Sequence, residues 1–203
     1  MATPHGPANA HLHLADDPRA VLALGHGAGG GVTSRDLMAV IRVALAEGLS
    51  VVLVEQPYRV AGRRSPAPPY QLDNAWTAVI EHLAAGALQG LPLVVGGRSS
   101  GARVACRTAT ATAAIGVLCL AFPLRPPRRR GATATTSRLP ELDAVRVPTL
   151  VVQGTRDPFG IPPAAEHRTV VEVPGDHSLR TDVQAVAAAV QAWLPGVIAR
   201  AVY

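Results

Sequence analysis

The sequence predicts an α/β fold: a three-layer α/β/α sandwich around a mostly parallel β-sheet, in a single domain of 203 residues. Short continuous apolar runs, which are typical of strands buried on both faces, alternate with segments whose apolar residues recur at helical spacing. This alternation is typical of a parallel sheet covered by helices on both sides. Hydrophobic residues make up 48% of the chain and no long polar tract interrupts them, so the sequence can bury one substantial core.

The first quarter of the chain predicts strands flanking one amphipathic helix. We expect residues 1–10 to be a flexible amino terminus. The predicted elements that follow are a strand over 11–14, a turn over 16–19, a strand over 20–24, a helix from about 35 to 47 and a strand over 50–54. Thr33 or Ser34 can cap the helix, and Gly48 follows its end. Its apolar residues fall on one face: Leu37, Ile41, Ala44 and Leu45.

The rest of the chain repeats this rhythm of strand and helix. The predicted elements are a loop over 56–69, a helix over 71–85, a strand before Gly97, a helix after Ser99, a strand over 115–122, an irregular segment over 123–136, strands over 147–153 and 169–173, and a closing helix over 181–194. The helix over 71–85 presents Trp76, Ile80 and Leu83 on one face. These elements complete the predicted α/β/α sandwich.

Residues 97–101, Gly-Arg-Ser-Ser-Gly, lie between a predicted strand and a predicted helix. A serine on so sharp a strand-to-helix turn projects its hydroxyl away from the backbone, and glycines two residues before and after it prevent clashes. Ser99 is therefore the candidate nucleophile.

Asp157 and His177 each follow the end of a predicted strand. Because ligands bind at the carboxyl ends of parallel strands, both side chains can converge with Ser99 there. A histidine can take the serine proton, and a carboxylate can fix the histidine tautomer. Asp176 and Asp182 compete with Asp157, but Asp176 adjoins His177 in a tight turn and Asp182 occupies the first turn of a helix.

A glycine-rich loop, residues 25–31, follows an early strand and leaves its backbone N–H groups unobstructed. We assign the N–H groups of Ala28 and Ser100 as the donors to an oxyanion. The competing interpretation, a phosphate-binding loop, lacks the Gly-Lys-Ser/Thr ending of a P-loop. His26 is expected to orient the loop by hydrogen bonding.

Together these motifs resemble the α/β-hydrolase superfamily, which uses the same chain order of serine, acid and histidine. The sequence is most similar to its small cap-less members related to dienelactone hydrolase, in particular to proteins similar to testis-expressed protein thirty. The residues that carry this resemblance are His26-Gly27-Ala28-Gly29, Gln56-Pro57-Tyr58-Arg59, Gly62-Arg63-Arg64, the stretch from Gly96 to Arg103 and Phe122-Pro123-Leu124. The resemblance implies a serine hydrolase with the triad Ser99, Asp157 and His177. Dienelactone hydrolase itself uses a cysteine where this chain has Ser99. We therefore do not assign the substrate of dienelactone hydrolase to this chain.

The resemblance also indicates the shape of the substrate site and the residues around it. A cap domain would lie between about Phe122 and Val147, but this stretch of roughly 25 residues has room only for a loop or one short helix. A shallow, open site follows. The candidate residues around the substrate are His26, Tyr58, Arg59 and Phe122, with ordinary packing as the alternative for Tyr58 and Phe122. Arginines at 63, 64 and 125 can join Arg59 at the rim, or simply face solvent.

The composition limits the classes of binding partner and the cellular location that we expect. The formal net charge is +5 and every basic residue is an arginine, but no continuous basic face with aromatic residues indicates nucleic-acid binding. No apolar run is long enough to span a bilayer, and the first 15 residues lack the basic segment followed by an apolar segment that is typical of a signal peptide. Cys106 and Cys119 are expected to be buried reduced thiols. We therefore expect a cytoplasmic protein with no metal or other cofactor and a small-molecule substrate; the oligomeric state stays open.

The leading functional hypothesis is a serine hydrolase that cleaves a carboxylic ester or thioester through an acyl-enzyme. The alternatives are a non-catalytic binding or scaffold protein with the same fold, since fold does not guarantee activity, and a serine peptidase. The full set of triad residues and backbone donors argues against a scaffold, and the absence of an additional peptide-holding domain argues against a peptidase.

Overall fold

The strands of the computed structural model, which describes residues 1–126 and 136–200, form one sheet. Seven strands belong to it in this part of the chain: β1 (Asn9–His13), β2 (Ala20–Gly25), β3 (Leu49–Glu55), β4 (Leu93–Arg98), β5 (Gly116–Leu120), β6 (Thr149–Gly154) and β7 (Arg168–Val173). Their order across the sheet is β1-β3-β2-β4-β5-β6-β7. Only β1 runs antiparallel to its neighbour, so the predicted mostly parallel sheet is confirmed.

Six helices of the described chain cover the two faces of the sheet: α1 (Arg35–Ala46), α2 (Pro57–Val60), α3 (Pro69–Ala84), α4 (Ser100–Thr108), α5 (Leu139–Asp143) and α6 (Val183–Ala199). Alternate strand residues point to opposite faces. On one face Ala23 and Val95 pack with Trp76 of α3 and Val104 of α4. On the other face, the leucines and valines of the strands pack with α1 and α6. This arrangement confirms the predicted α/β/α sandwich.

The structure differs from the sequence prediction at two helices. The predicted loop over 56–69 contains the short helix α2, which begins at Pro57, because proline is preorganised for a first helical position. Helix α6 continues to Ala199 although Pro195 lies inside it. Both Pro195 and Gln191, whose carbonyl loses its helical partner, are on the exposed face, so water can replace the missing hydrogen bond.

The amino terminus, which we expected to be flexible, makes defined contacts in the structure. The Met1 ammonium donates a hydrogen bond to the Ala8 carbonyl over 2.8 Å, and Ala8 is buried. The ring of His5 meets the ring of Tyr70 edge-on at 5.9 Å. Asn9 then begins β1, which pairs along its whole length with β3. Pairing with β3 therefore gives this segment an anchor that its composition does not indicate.

The connection between β5 and β6 carries no large cap among its described residues, where α5 is the one helix. Most of the predicted irregular segment over 123–136, including the arginine run at 128–130, lies outside the described residues. Across the described ranges, no helix combines the length and apolar character needed to cross a bilayer.

The direction of the chain across the sheet changes between β2 and β4. From β2 the chain moves outward to β3, and it then returns to add β4 on the other side of β2. Such a switch point leaves a crevice at the carboxyl ends of the two strands, where ligands bind in open α/β sheets. The glycine-rich loop follows β2 and Ser99 follows β4 at this crevice.

Candidate active site

Ser99 lies between the last residue of β4 and the first residue of α4. Its backbone angles, φ 52° and ψ −106°, are in a sparsely populated region for a residue with a side chain. The Ser99 N–H donates a hydrogen bond to the Leu120 carbonyl over 2.8 Å, which fixes the turn to β5. The backbone therefore holds the hydroxyl at the carboxyl edge of the sheet.

The glycines flanking Ser99 allow the turn to approach β2. Gly97 pairs with Gly25 in the β2–β4 register. A Cβ on Gly97 would lie 2.5 Å from the Gly25 carbonyl oxygen, and one on Gly101 would overlap the Gly25 backbone. These positions thus require glycine because two backbones meet there.

His177 reaches Ser99 from the loop after β7, which we call the histidine loop (residues 174–181). Its Nε2 lies 2.9 Å from Ser99 Oγ, and its Nδ1 lies 2.8 Å from Asp157 Oδ2. The tautomer with its proton on Nδ1 satisfies both contacts, because Nδ1–H then donates to the carboxylate and Nε2 accepts from the hydroxyl. The ring of Phe159 packs edge-on against the imidazole at 4.4 Å.

Asp157 lies in the loop after β6, and its side chain is completely buried. Its carboxylate also accepts hydrogen bonds from the Phe159 N–H, over 2.9 Å, and from Gln153 Nε2, over 2.8 Å. Three donors therefore hold a buried charge in one orientation. A backbone hydrogen bond from the Arg156 N–H to the Gly175 carbonyl, over 2.9 Å, ties this loop to the histidine loop.

The two competing carboxylates have other partners. Asp176 is fully exposed and accepts hydrogen bonds from the Ser178 hydroxyl and N–H, which lower the pKa of its carboxyl. Asp182 caps α6 by accepting a hydrogen bond from the Ala185 N–H over 2.8 Å. Of these three carboxylates, Asp157 is the one that contacts the His177 ring.

The glycine-rich loop lies beside Ser99, since a Cβ on Gly27 would be 3.7 Å from Ser99 Cβ. His26, which belongs to this loop, is buried; its Nδ1 contacts the Gly27 carbonyl over 2.8 Å, and its Nε2 accepts from the Gln56 N–H over 3.1 Å. Burial lowers the pKa of His26, which favours the neutral ring that both contacts require. Within the described chain, the N–H groups of Ala28 and Ser100 donate to no protein acceptor.

The other predicted substrate residues differ in their exposure. Tyr58 is buried, its hydroxyl donates to the Ala28 carbonyl over 3.0 Å, and burial raises its pKa to about 12. Phe122 has no exposed surface and packs in the core, which is the alternative that the sequence left open. Arg59 is half-buried and donates to the Arg63 carbonyl over 3.4 Å. The arginines at 63, 64 and 125 are exposed.

Sequence reasoning missed four residues: Gln153 and Phe159, which donate hydrogen bonds to Asp157, and a pair, Arg98 and Asp36, of which Arg98 donates to the His177 carbonyl. Gln153 directly follows the apolar run of residues 150–152 in β6, and a polar residue at that place was a usable signal; the structure shows that it has no exposed surface. Phe159 lies two residues after Asp157 and gave no signal of its own. Across the described residues, no three histidine, cysteine or acidic side chains are grouped as a metal site requires.

This fold, with a serine on a strained turn and a histidine and carboxylate at neighbouring strand ends, defines the class of α/β hydrolases. The chain belongs to the alpha/beta hydrolase domain family, which matches residues 18–193. The resemblance to the superfamily is therefore confirmed. No curated protein matches the sequence.

Several solved structures share the fold. Est1E from Butyrivibrio proteoclasticus is 16% identical with a TM-score of 0.76, over 95% of each chain. XC6422 from Xanthomonas campestris, described as a serine hydrolase without lid, is 19% identical with a TM-score of 0.74, over 96% of this chain and 91% of that one. Dienelactone hydrolase from Anabaena variabilis is 16% identical with a TM-score of 0.74, over 96% of this chain and 94% of the other. At sequence identities this low, the similarity to these structures shows a shared fold only.

Proposed function

We propose that this protein is a serine hydrolase that cleaves a carboxylic ester or thioester through an acyl-enzyme. The observation that carries the proposal is the unbroken line of hydrogen bonds from Asp157 through His177 to Ser99, with distances of 2.8 and 2.9 Å. A hydroxyl becomes an effective nucleophile when an oriented base accepts its proton.

In the proposed mechanism, Ser99 Oγ attacks the substrate carbonyl while its proton moves to His177 Nε2. The Ala28 and Ser100 N–H groups stabilise the resulting oxyanion, and the buried Asp157 carboxylate stabilises the imidazolium. His177 then protonates the departing alcohol or thiol, which leaves an acyl group on Ser99. Water attacks this ester with His177 again as base, which releases the acid and restores the hydroxyl.

An open site supports a small-molecule substrate. Ser99 and His177 are both partly exposed, and the described residues provide no large cap to cover them. XC6422, which has a similar fold, is described as a serine hydrolase without lid, and Est1E has been solved with ferulic acid bound. These neighbours support an acyl substrate with a carboxylic acid as product.

The experiment that tests the proposal is trapping of the acyl-enzyme. The protein is mixed with p-nitrophenyl acetate or an acetyl thioester, quenched in acid and measured by intact mass spectrometry, with Ser99→Ala as the matched variant. We expect one acetyl group on the wild-type protein and none on the variant. Turnover that survives in Ser99→Ala would contradict the proposal, and a folded protein that neither hydrolyses nor labels would support the binding-scaffold alternative.

We also propose a cytoplasmic location. Cys106 and Cys119 are both buried and free, with their Sγ atoms 3.5 Å apart. A reducing compartment keeps such a close pair of thiols from oxidising. Fractionation of cells that produce the protein, probed with an antibody, tests the location directly.

A further inference from the structure

Arg98, between Gly97 and Ser99, contacts three parts of the candidate active site. Its Nη2–H donates a hydrogen bond to the His177 carbonyl over 2.9 Å. Its Nε lies 3.1 Å from Asp36 Oδ2, in the first turn of α1. Its Nη1 lies beneath the glycine-rich loop, 2.8 Å from the point that a Cβ on Gly27 would occupy. One side chain therefore touches the histidine loop, the glycine-rich loop and α1.

Asp36 makes this contact more than a surface ion pair. The Asp36 side chain is only 2% exposed, and apart from the ion pair Oδ2 receives no hydrogen bond from the described residues. A buried carboxylate without a counter-ion is strongly destabilising. Asp36 therefore holds the Arg98 guanidinium in place.

The sheet itself does not join the histidine loop to the Ser99 turn. His177 follows β7, whereas Ser99 follows β4, and two strands, β5 and β6, separate them. The hydrogen bond from Arg98 to the His177 carbonyl links these segments directly, although 79 residues separate the two positions. It acts on the backbone of the very residue whose ring must meet Ser99 Oγ.

We propose that Arg98, held by Asp36, is a positioning residue that fixes the His177 backbone against the Ser99 turn. This inference rests on the hydrolase function proposed above. Arginine suits the role because its planar guanidinium presents donors in several directions from one rigid group. A lysine could keep the charge beside Asp36 but would have one nitrogen to serve both acceptors.

The test compares Arg98→Met with the double variant Arg98→Met/Asp36→Asn, using hydrolysis of p-nitrophenyl acetate and thermal unfolding. Arg98→Met loses the hydrogen bond and leaves a buried charge, so both kcat and Tm should fall. In the double variant the charge is gone, so Tm should recover towards wild type. The kcat should stay about 10- to 100-fold low with KM changed less than about threefold, since a displacement of about 1 Å has effects of this size.

Arg168→Met is the matched control, because Arg168 also contacts one carboxylate, Asp143, and one backbone carbonyl, that of Pro163. Arg168 begins β7, at the end of the strand remote from His177. We expect it to lower Tm without lowering kcat. Arg98→Lys provides a second readout if the methionine variant does not fold: it keeps the charge, and its kcat should fall while its Tm stays closer to wild type.

A wild-type kcat in the folded double variant or in Arg98→Lys would overturn the positioning role and leave the proposed hydrolase function intact. Ser99→Ala, measured in the same assay, separates the two conclusions. Turnover that persists in Ser99→Ala would overturn the hydrolase mechanism and the Arg98 inference with it.

Discussion

At the scale of single residues, the environment of each carboxylate decides its role. Asp157 is buried against His177, whereas Asp176, the residue next to His177 in the chain, is fully exposed. We expect Asp157→Asn to lower kcat about 10³- to 10⁴-fold, because the amide cannot fix the required tautomer or stabilise the imidazolium. Asp176→Asn is the matched control and should keep kcat within about threefold. Steady-state hydrolysis by both variants checks this assignment, and a larger loss in Asp176→Asn would reverse it.

His26 predicts a pH dependence of stability. Burial lowers the pKa of the folded His26 below its ordinary value of 6.5. As pH falls below about 6.5, the unfolded chain takes up a proton that the folded chain does not. The free energy of unfolding therefore decreases towards acid, by at most about 1.4 kcal/mol per pH unit from this residue.

The variant His26→Asn removes that contribution. Its free energy of unfolding should be lower at neutral pH, because the Gln56 N–H loses its acceptor, but we expect it to decrease less between pH 7 and 5 than in wild type. Urea unfolding at several pH values measures the difference. Parallel curves for the two proteins would show that His26 does not cause the acid sensitivity.

Sequence reasoning was strongest for residues within recognisable local motifs. It selected Ser99, Asp157 and His177 from their positions after strands, and the structure brings the three together. It could not find Arg98 and Asp36, because their contact joins a variable position of one motif to a helix 62 residues away in the chain. Such long-range pairing has no local pattern.

At the scale of elements, the Ser99 turn depends on the close approach of α4 to β2. Gly101→Ala places a methyl group against the Gly25 backbone, and neither element can shift without disturbing the sheet. We expect a loss of about 2 kcal/mol or more in the free energy of unfolding, together with lower activity. Gly196→Ala in α6 is the control, because nothing lies within 4 Å of its added methyl group. It should stabilise the helix by up to about 1 kcal/mol, and equal effects of the two variants would contradict this account.

The order and type of the longer elements were predictable because the buried strands each contain a run of apolar residues. Their ends were less predictable. Helix α6 extends past Pro195 because its carboxyl-terminal residues Val197 and Ile198 are buried in the core, and packing outweighs the unfavourable proline. Helix α2 was not predicted, because it lies in a stretch rich in proline and arginine.

At the scale of the whole molecule, the order of the strands brings the candidate site residues together. The reversal between β2 and β4 sets the glycine-rich loop beside Ser99, while β6 and β7 bring Asp157 and His177 from the far side of the sheet. Local patterns predicted a parallel sheet but not this order, because it depends on pairing between distant segments. The candidate site is consequently assembled at the ends of four separate strands, β2, β4, β6 and β7.

Active-site labelling tests the central claim, an activated Ser99, most directly. Wild type and His177→Ala are treated with a fluorophosphonate, and the adduct is located by peptide mass mapping. We predict one adduct, on Ser99, with a labelling rate reduced at least about 10³-fold in His177→Ala, since the ring that accepts the proton is gone. An adduct elsewhere, or labelling of Ser99 at the same rate without His177, would contradict the account.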